Sequence, residues 1–284
     1  MSTRGGLTPV LDFHTHVPSP HAWTQASIDY ATSTNPEALA RADEFQDPQV
    51  LLQALRAEGV DQAVVLAEEA PATSAMVMSE SMIDYARDTP GLYTFVSLNP
   101  YLDNDLVGRL EELRRRGPVH GIKMLPSYQH FWPNDARLYP LYARAQESGL
   151  PVTFHTGTSV FAGTRLKYAQ PLLLDDVAVD FPGLTILMAH SGRGPWYAEA
   201  ATLATLHANV YLELSGLPAR NLPRYFHDYR RLAPKMVFGS DFPGLPSIRE
   251  NIEAIRGLFD PDAAHRILWA NGARLLGLPE DGPG

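Results

Sequence analysis

Val10-Leu11-Asp12-Phe13-His14-Thr15-His16 is a short apolar run that ends in two histidines, with Pro18 close behind. Side chains alternate along a β-strand. Asp12, His14 and His16 are therefore expected on one face, and Leu11, Phe13 and Thr15 on the other. Two imidazoles side by side at a strand end make half of a metal site, because neutral imidazole is the commonest nitrogen ligand of zinc and its neighbours. If that is what they are, later strands must end beside this one and carry the missing ligands.

The rest of the chain has the rhythm such a fold needs. Apolar or β-branched runs return at Val60–Leu66, Leu92–Leu98, Val119–Met124, Pro151–His155, Leu184–His190, Val210–Leu214 and Met236–Asp241. Helical patterns lie between them, at Pro48–Glu58, Ser74–Arg87, Asp103–Arg116, Leu138–Ser148, Gln170–Val179, Trp196–His207 and Leu222–Leu232, with closing helices from Ser247 to Leu276. Strands that alternate with helices pair in parallel. Over 284 residues this predicts one α/β domain, residues 1–284, folded as a (β/α)8 TIM barrel. The segment Val17–Asp47 is too long for an ordinary barrel loop and reads as an insertion after strand one; long loops of this kind are often functional. No internal repeat or linker interrupts the pattern, and the tail Pro279–Gly284 is expected to be loose.

Composition narrows the function. At 45% hydrophobic residues the chain has a core to bury, and its net charge of -9 argues against nucleic acid and anionic membrane as partners. No apolar run is long enough to span a bilayer, and the first nine residues, MSTRGGLTP, lack the apolar stretch of a signal peptide. A cytoplasmic location follows as the default. There is no cysteine, so a metal would be held by His, Asp, Glu or a modified Lys.

Barrel enzymes work at the C-terminal ends of their strands. Here those ends carry His14 and His16, then Lys123, His155, His190, Glu213 and Asp241. Alternation turns His155, Glu213, Asp241 and Lys123 inward, since Phe154, Leu212, Phe238 and Ile122 suit the helix-facing side. One such histidine would be a core residue bonded to backbone. Ionisable groups at strand end after strand end are different, because buried charges without partners cost about several kcal/mol each.

In these residues the chain resembles the amidohydrolase superfamily, in particular the amidohydrolase-related group of the aminocarboxymuconate-semialdehyde and resorcylate decarboxylases. The resemblance rests on Asp12-Phe13-His14-Thr15-His16, Gly121-Ile122-Lys123, Phe154-His155-Thr156-Gly157, Ala189-His190-Ser191-Gly192-Arg193, Phe238-Gly239-Ser240-Asp241-Phe242-Pro243 and the ending Ala270–Gly277. It implies His14, His16, His155 and Asp241 as ligands of a divalent metal, Zn2+ or else Mn2+ or Fe2+. His190 and Asp241 become the catalytic acid/base residues. Lys123 is either a carboxylated bridge between two metals or an ammonium for a substrate carboxylate; one ion is the preferred reading.

Arg193, Glu213 and Trp196 join Lys123 as candidate substrate contacts. For Glu213, orienting a ligand or pairing at the rim with an arginine are alternatives. The expected substrate is a small carboxylated molecule, an aromatic or unsaturated acid. The expected reaction is hydrolysis of an ester, lactone or amide, with non-oxidative decarboxylation as the alternative. A homo-oligomer, a dimer, is the expected assembly.

Overall fold

The computed structural model describes residues 8–245 and 248–283. The predicted start of the closing helices, Ser247, lies outside them, as do the leading residues read above as lacking a signal sequence. The strands are β1 (Leu11–Thr15), β2 (Gln62–Leu66), β3 (Glu68–Ala70), β4 (Ala75–Val77), β5 (Leu92–Ser97), β6 (Gly121–Met124), β7 (Val152–Gly157), β8 (Ile186–Arg193), β9 (Val210–Glu213) and β10 (Met236–Val237). All but β3 and β4 form one eight-stranded sheet in the order β1-β2-β5-β6-β7-β8-β9-β10, each neighbouring pair parallel. The sheet closes on itself where Phe13 N donates to Phe238 O at 2.9 Å, Asp241 N to His14 O at 2.9 Å and His16 N to Phe242 O at 2.7 Å. This is the expected (β/α)8 barrel.

Two apolar layers hold it. On the outside, Ile122, Met124, Val152, Phe154, Ile186 and Met188 pack with helix residues such as Leu51, Leu55 and Leu110. Local sequence sets up the helix that carries Leu51 and Leu55 (Pro48–Ala57). Asp47 accepts from Gln49 N at its start, Pro48 occupies the first turn, and Leu51, Leu52 and Leu55 recur on one buried face. A second cluster joins Val64, Leu66, Phe95, Leu187 and Val237 to Leu11 and Phe13, with the Phe13 and Phe95 rings edge to face at 5.5 Å.

That second cluster corrects the alternation predicted for β1. The β1–β2 register shifts between Asp12 and Thr15, so β1 carries an extra residue. A bulge of this kind breaks strict alternation and re-aims the side chains beyond it. Leu11 and Phe13 thus pack with Phe95, and His14 still reaches the active face. Asp12, expected on the histidines' face, does not contact their rings through Oδ1. Its Oδ1 instead accepts from the backbone N–H of His14 at 3.1 Å and of Ser240 at 2.8 Å, tying β1 to the loop after β10.

Other boundaries also differ. The long insertion is not bare loop: it contains helices α1 (Gln25–Thr34) and α2 (Pro36–Ala40), the latter capped by Asn35 accepting from Ala38 N. The helix predicted from Ser74 starts at Ser79, because the residues before it form the antiparallel hairpin β3–β4. The helix predicted over Leu222–Leu232 is helical only at Leu222–Tyr225. The run predicted as a strand over Met236–Asp241 is extended only at Met236–Val237, β10. The closing segment includes a π-helical turn, Arg266–Ala270. The tail is anchored as far as Glu280: Trp269 donates from its indole to Pro279 O at 2.9 Å.

Candidate metal centre

His14, His16 and Asp241 each offer a ligand atom, and these atoms lie within 4.8 Å of one another. His14 Nε2 is 3.4 Å and His16 Nε2 3.8 Å from Asp241 Oδ1, so both rings present the same edge to the carboxylate. The opposite edge of each ring faces another carboxylate. His14 donates from Nδ1 to Glu213 Oε2 at 2.7 Å, and His16 Nδ1 lies 3.5 Å from Glu68 Oε2. A carboxylate behind a histidine fixes its tautomer and leaves the other nitrogen to bind metal.

Glu213 is fully buried, which removes the reading of it as a rim charge. Among the described residues it pairs with no arginine, and it accepts from Ser215 N and Ser215 Oγ, each at 2.7 Å. It stands behind His14 and is not among the residues lining the cavity in front of that ring.

Backbone shape positions the rest. Of the described non-glycine residues, His190, Ser191 and Asp241 are held at φ of 62°, 48° and 65°, with His130 the only other. Strain of this sort gathers at working sites. Asp241 keeps its conformation because its N–H is bonded to His14 O and its carbonyl accepts from Gly244 N at 2.7 Å. Two glycines leave room for the side chains. A Cβ on Gly239 would stand 2.2 Å from Glu213 Oε1, and one on Gly216 would stand 2.8 Å from Asp241 Oδ2.

His190 Nδ1 is 2.9 Å from Ser215 O and 4.0 Å from Asp241 Oδ2. Bonded to a carbonyl, Nδ1 must carry the hydrogen, which leaves Nε2 as the acceptor. Burial holds His14, His155 and His190 well below the usual imidazole pKa and brings His16 down to about 4, with Asp241 opposing the shift at His16. All four rings are therefore neutral at pH 7, the form that binds metal. Burial likewise lowers Lys123, whose Nζ lies 3.3 Å from His14 Nε2, and raises Glu213.

His155 stands outside the tight group of three. Its ring packs at 4.7 Å from His190 and 4.6 Å from Tyr128, and its Nε2 is buried with no hydrogen-bond partner. His155 lines the same cavity as His14, His16 and Asp241, and an orphaned buried acceptor there suits a divalent cation: three nitrogens and an oxygen are a familiar zinc donor set.

The group forms part of the lining of a cavity of about 90 Å³, well below the 300–1,000 Å³ of drug-sized sites. Lys123, Arg193 and His190 line it too, and so does Glu68, which the sequence reading did not single out. Its aromatic wall is Trp23, Tyr30, Tyr128 and Phe161, with Phe161 edge-on to Tyr30 at 5.6 Å and to Tyr128 at 5.9 Å. Ser27, Tyr30 and Ala31 reach it from one face of α1, at helical spacing. Trp196 does not line it, and Arg165 is exposed. Arg193 donates from Nε and Nη2 to Thr158 O, at 3.2 and 2.8 Å, which holds its guanidinium against the β7 loop.

A parallel barrel with this constellation at its C-terminal rim defines a class of enzymes that work through a divalent metal. The chain belongs to the amidohydrolase family, whose model matches residues 11–278, so the resemblance carried by the motifs holds. Comparison with curated proteins found no significant match. Among solved structures, an uncharacterized TIM-barrel protein from Bordetella bronchiseptica is 23% identical, with TM-score 0.79, covering 97% of this chain and 100% of that one. A dihydroxybenzoic acid decarboxylase from Polaromonas sp. JS666, with bound manganese and an inhibitor, is 14% identical with TM-score 0.67, over 95% and 97% of the two chains. A probable 2-pyrone-4,6-dicarboxylic acid hydrolase from Acinetobacter baumannii, with citric acid bound, is 16% identical with TM-score 0.66, over 95% and 99%. At these identities the likeness establishes the fold.

Proposed function

We propose that this chain is a metal-dependent hydrolase that cleaves an ester, lactone or amide bond in a small carboxylated substrate. The observation that carries the reading is Asp241: Oδ1 faces the Nε2 atoms of His14 and His16, and Oδ2 faces His190. One carboxylate thereby joins the metal ligands to an acid/base group, as hydrolysis requires. His14, His16 and Asp241 would hold the ion, with His155 as the fourth ligand. When bound, a divalent cation lowers the pKa of a coordinated water to about 7 and polarises a carbonyl oxygen. Asp241 takes the proton of the attacking water at Oδ2, and His190 is the second group through which a proton reaches the leaving atom.

Lys123 and Arg193, the cavity's two cationic side chains, bind the substrate carboxylate. The aromatic wall excludes water and suits a planar, unsaturated skeleton. The small cavity limits the substrate to a few ring or chain atoms beyond its carboxylate.

Decarboxylation of a small aromatic or unsaturated acid is the second reading. The pairing of Lys123 with Arg193 favours it, since two cations beside neutral His190 would seat a carboxylate that is to be lost. The Polaromonas relative is a decarboxylase and the Acinetobacter one a probable hydrolase, so both chemistries occur on this scaffold. The two part on product. Protein loaded with Zn2+ or Mn2+ is to be assayed against small carboxylated lactones, esters and amides, and against aromatic acids for CO2 release. Ring opening or ester cleavage supports the first reading; CO2 release with no hydrolysis refutes it.

A further inference from the structure

Glu68 belongs to no part of the proposed chemistry, yet it lines the metal cavity. Its two oxygens do different things. Oε1 accepts from Ser74 Oγ across the turn of the β3–β4 hairpin, and Oε2 points at His16 Nδ1 from 3.5 Å. Glu213 stands behind His14 at a hydrogen-bonding 2.7 Å; Glu68 stands behind the second histidine of the pair at ion-pair distance, from a different strand. Ser74 is itself engaged on its other side: its carbonyl accepts from Thr24 N and from Ser27 Oγ, each at 2.8 Å. Thr24 and Ser27 begin α1, the helix that forms one wall of the cavity.

We infer that Glu68 is a positioning residue for His16. It holds Nδ1 so that Nε2 faces Asp241, and through Ser74 it fastens that ligand to the helix that contacts substrate. The inference rests on the reading of His16 as a metal ligand. It explains why the hairpin exists at all: β3–β4 adds no strand to the barrel, but it brings Ser74 to Glu68 and Ala75 to a bridge with Trp23. It also separates the two histidines at the end of β1: Glu213 of β9 sets His14, and Glu68 of the β3–β4 hairpin sets His16.

The test uses the full chain stripped of metal and titrated with Zn2+ against a competing chelator. Wild type is compared with Glu68→Ala, Glu68→Gln and Ser74→Ala, and circular dichroism checks folding in each. Loss of a partner behind a metal ligand lowers affinity about 10–100-fold, and Glu68→Ala is expected in that range. Glu68→Gln keeps an acceptor oxygen and should recover part of the loss. Ser74→Ala leaves the carboxylate in place and should fall between wild type and Glu68→Ala. Nitrogen-15 NMR of the histidine rings supplies a second readout, with the His16 signals identified from a His16→Gln variant. In wild type His16 is protonated at Nδ1, and in Glu68→Ala that preference is lost.

Unchanged Zn2+ affinity and an unchanged His16 tautomer in folded Glu68→Ala would overturn the inference alone. Loss of all binding, equal to that of His16→Gln, would overturn it in another way, by making Glu68 itself a ligand. Wild type that takes up no metal would overturn both this inference and the functional reading beneath it.

Discussion

Gly239→Ala tests how tightly the site is built, because it adds one methyl group and no charge. The new Cβ would stand 2.2 Å from Glu213 Oε1 and 2.9 Å from His14 Cβ, where ordinary van der Waals contact starts near 3.4 Å. Something must move by more than an ångström. Glu213 is fully buried and held by Ser215 N and Oγ, so it cannot swing into solvent. Overpacking of this kind costs about 1–3 kcal/mol. At roughly 2–4 °C per kcal/mol for a chain of this size, Tm should fall by about 2–12 °C. If Glu213 is what moves, His14 loses its Nδ1 partner, and Zn2+ affinity should drop about 10–100-fold. Gly257→Ala is the control: it lies in the helix Ile248–Leu258 with no atom within 4 Å of its Cβ, and it should gain about 0.5–1 kcal/mol with metal binding untouched. Differential scanning fluorimetry and chelator competition measure both effects. Wild-type Tm and affinity in Gly239→Ala would refute the packing argument.

Glu213→Gln should keep the hydrogen bonds of a neutral acceptor and bind Zn2+ more weakly than wild type, by about 10-fold or more, without unfolding the barrel; calorimetric titration of metal-free protein reads it. Asn271 donates from Nδ2 to Ala233 O at 2.9 Å and Met236 O at 2.7 Å and is buried. Asn271→Ala removes both side-chain hydrogen bonds and should cost about 1–3 kcal/mol in urea unfolding, with unchanged metal content. His120, remote from the metal residues, has its pKa lowered by burial, and its Nδ1 accepts from Thr94 N at 3.1 Å. The unfolded chain binds the proton more readily, so this stability is fully present above the unfolded pKa of about 6.5 and is lost as pH falls below it. His120→Gln should flatten that limb of the stability–pH curve, and an equally steep limb would contradict the assignment.

The residues that name the chemistry were legible in the sequence because strand ends, period-two patterning and the order of motifs all point the same way. Lys123, His155, His190 and Asp241 line one cavity with His14 and His16, and Glu213 is buried behind His14. Other features escaped that reading. The bulge in β1 depends on pairing with β2, which no local pattern encodes, so Leu11 and Phe13 were turned the wrong way. Glu68 was passed over because the strand was ended at Leu66. Continuing the alternation of Val64 and Leu66 by two residues would have flagged it. Tyr30 was hidden because the insertion reads as polar and proline-broken. Its helix forms over a weakly amphipathic stretch and is held by tertiary bonds to the hairpin, such as Thr24 N to Ser74 O. The positive φ of Asp241 and His190 is likewise a product of the assembled barrel.

The central claim is that His14, His16 and Asp241 hold one divalent metal. Elemental analysis of the purified full-length protein, with its concentration measured on the same sample, tests this most directly. The account predicts a ratio near one in wild type, and near zero in His14→Ala and Asp241→Ala variants that remain folded. A wild-type ratio near zero after incubation with Zn2+ or Mn2+ would contradict it. A ratio near two would replace the single ion with a pair bridged through Lys123.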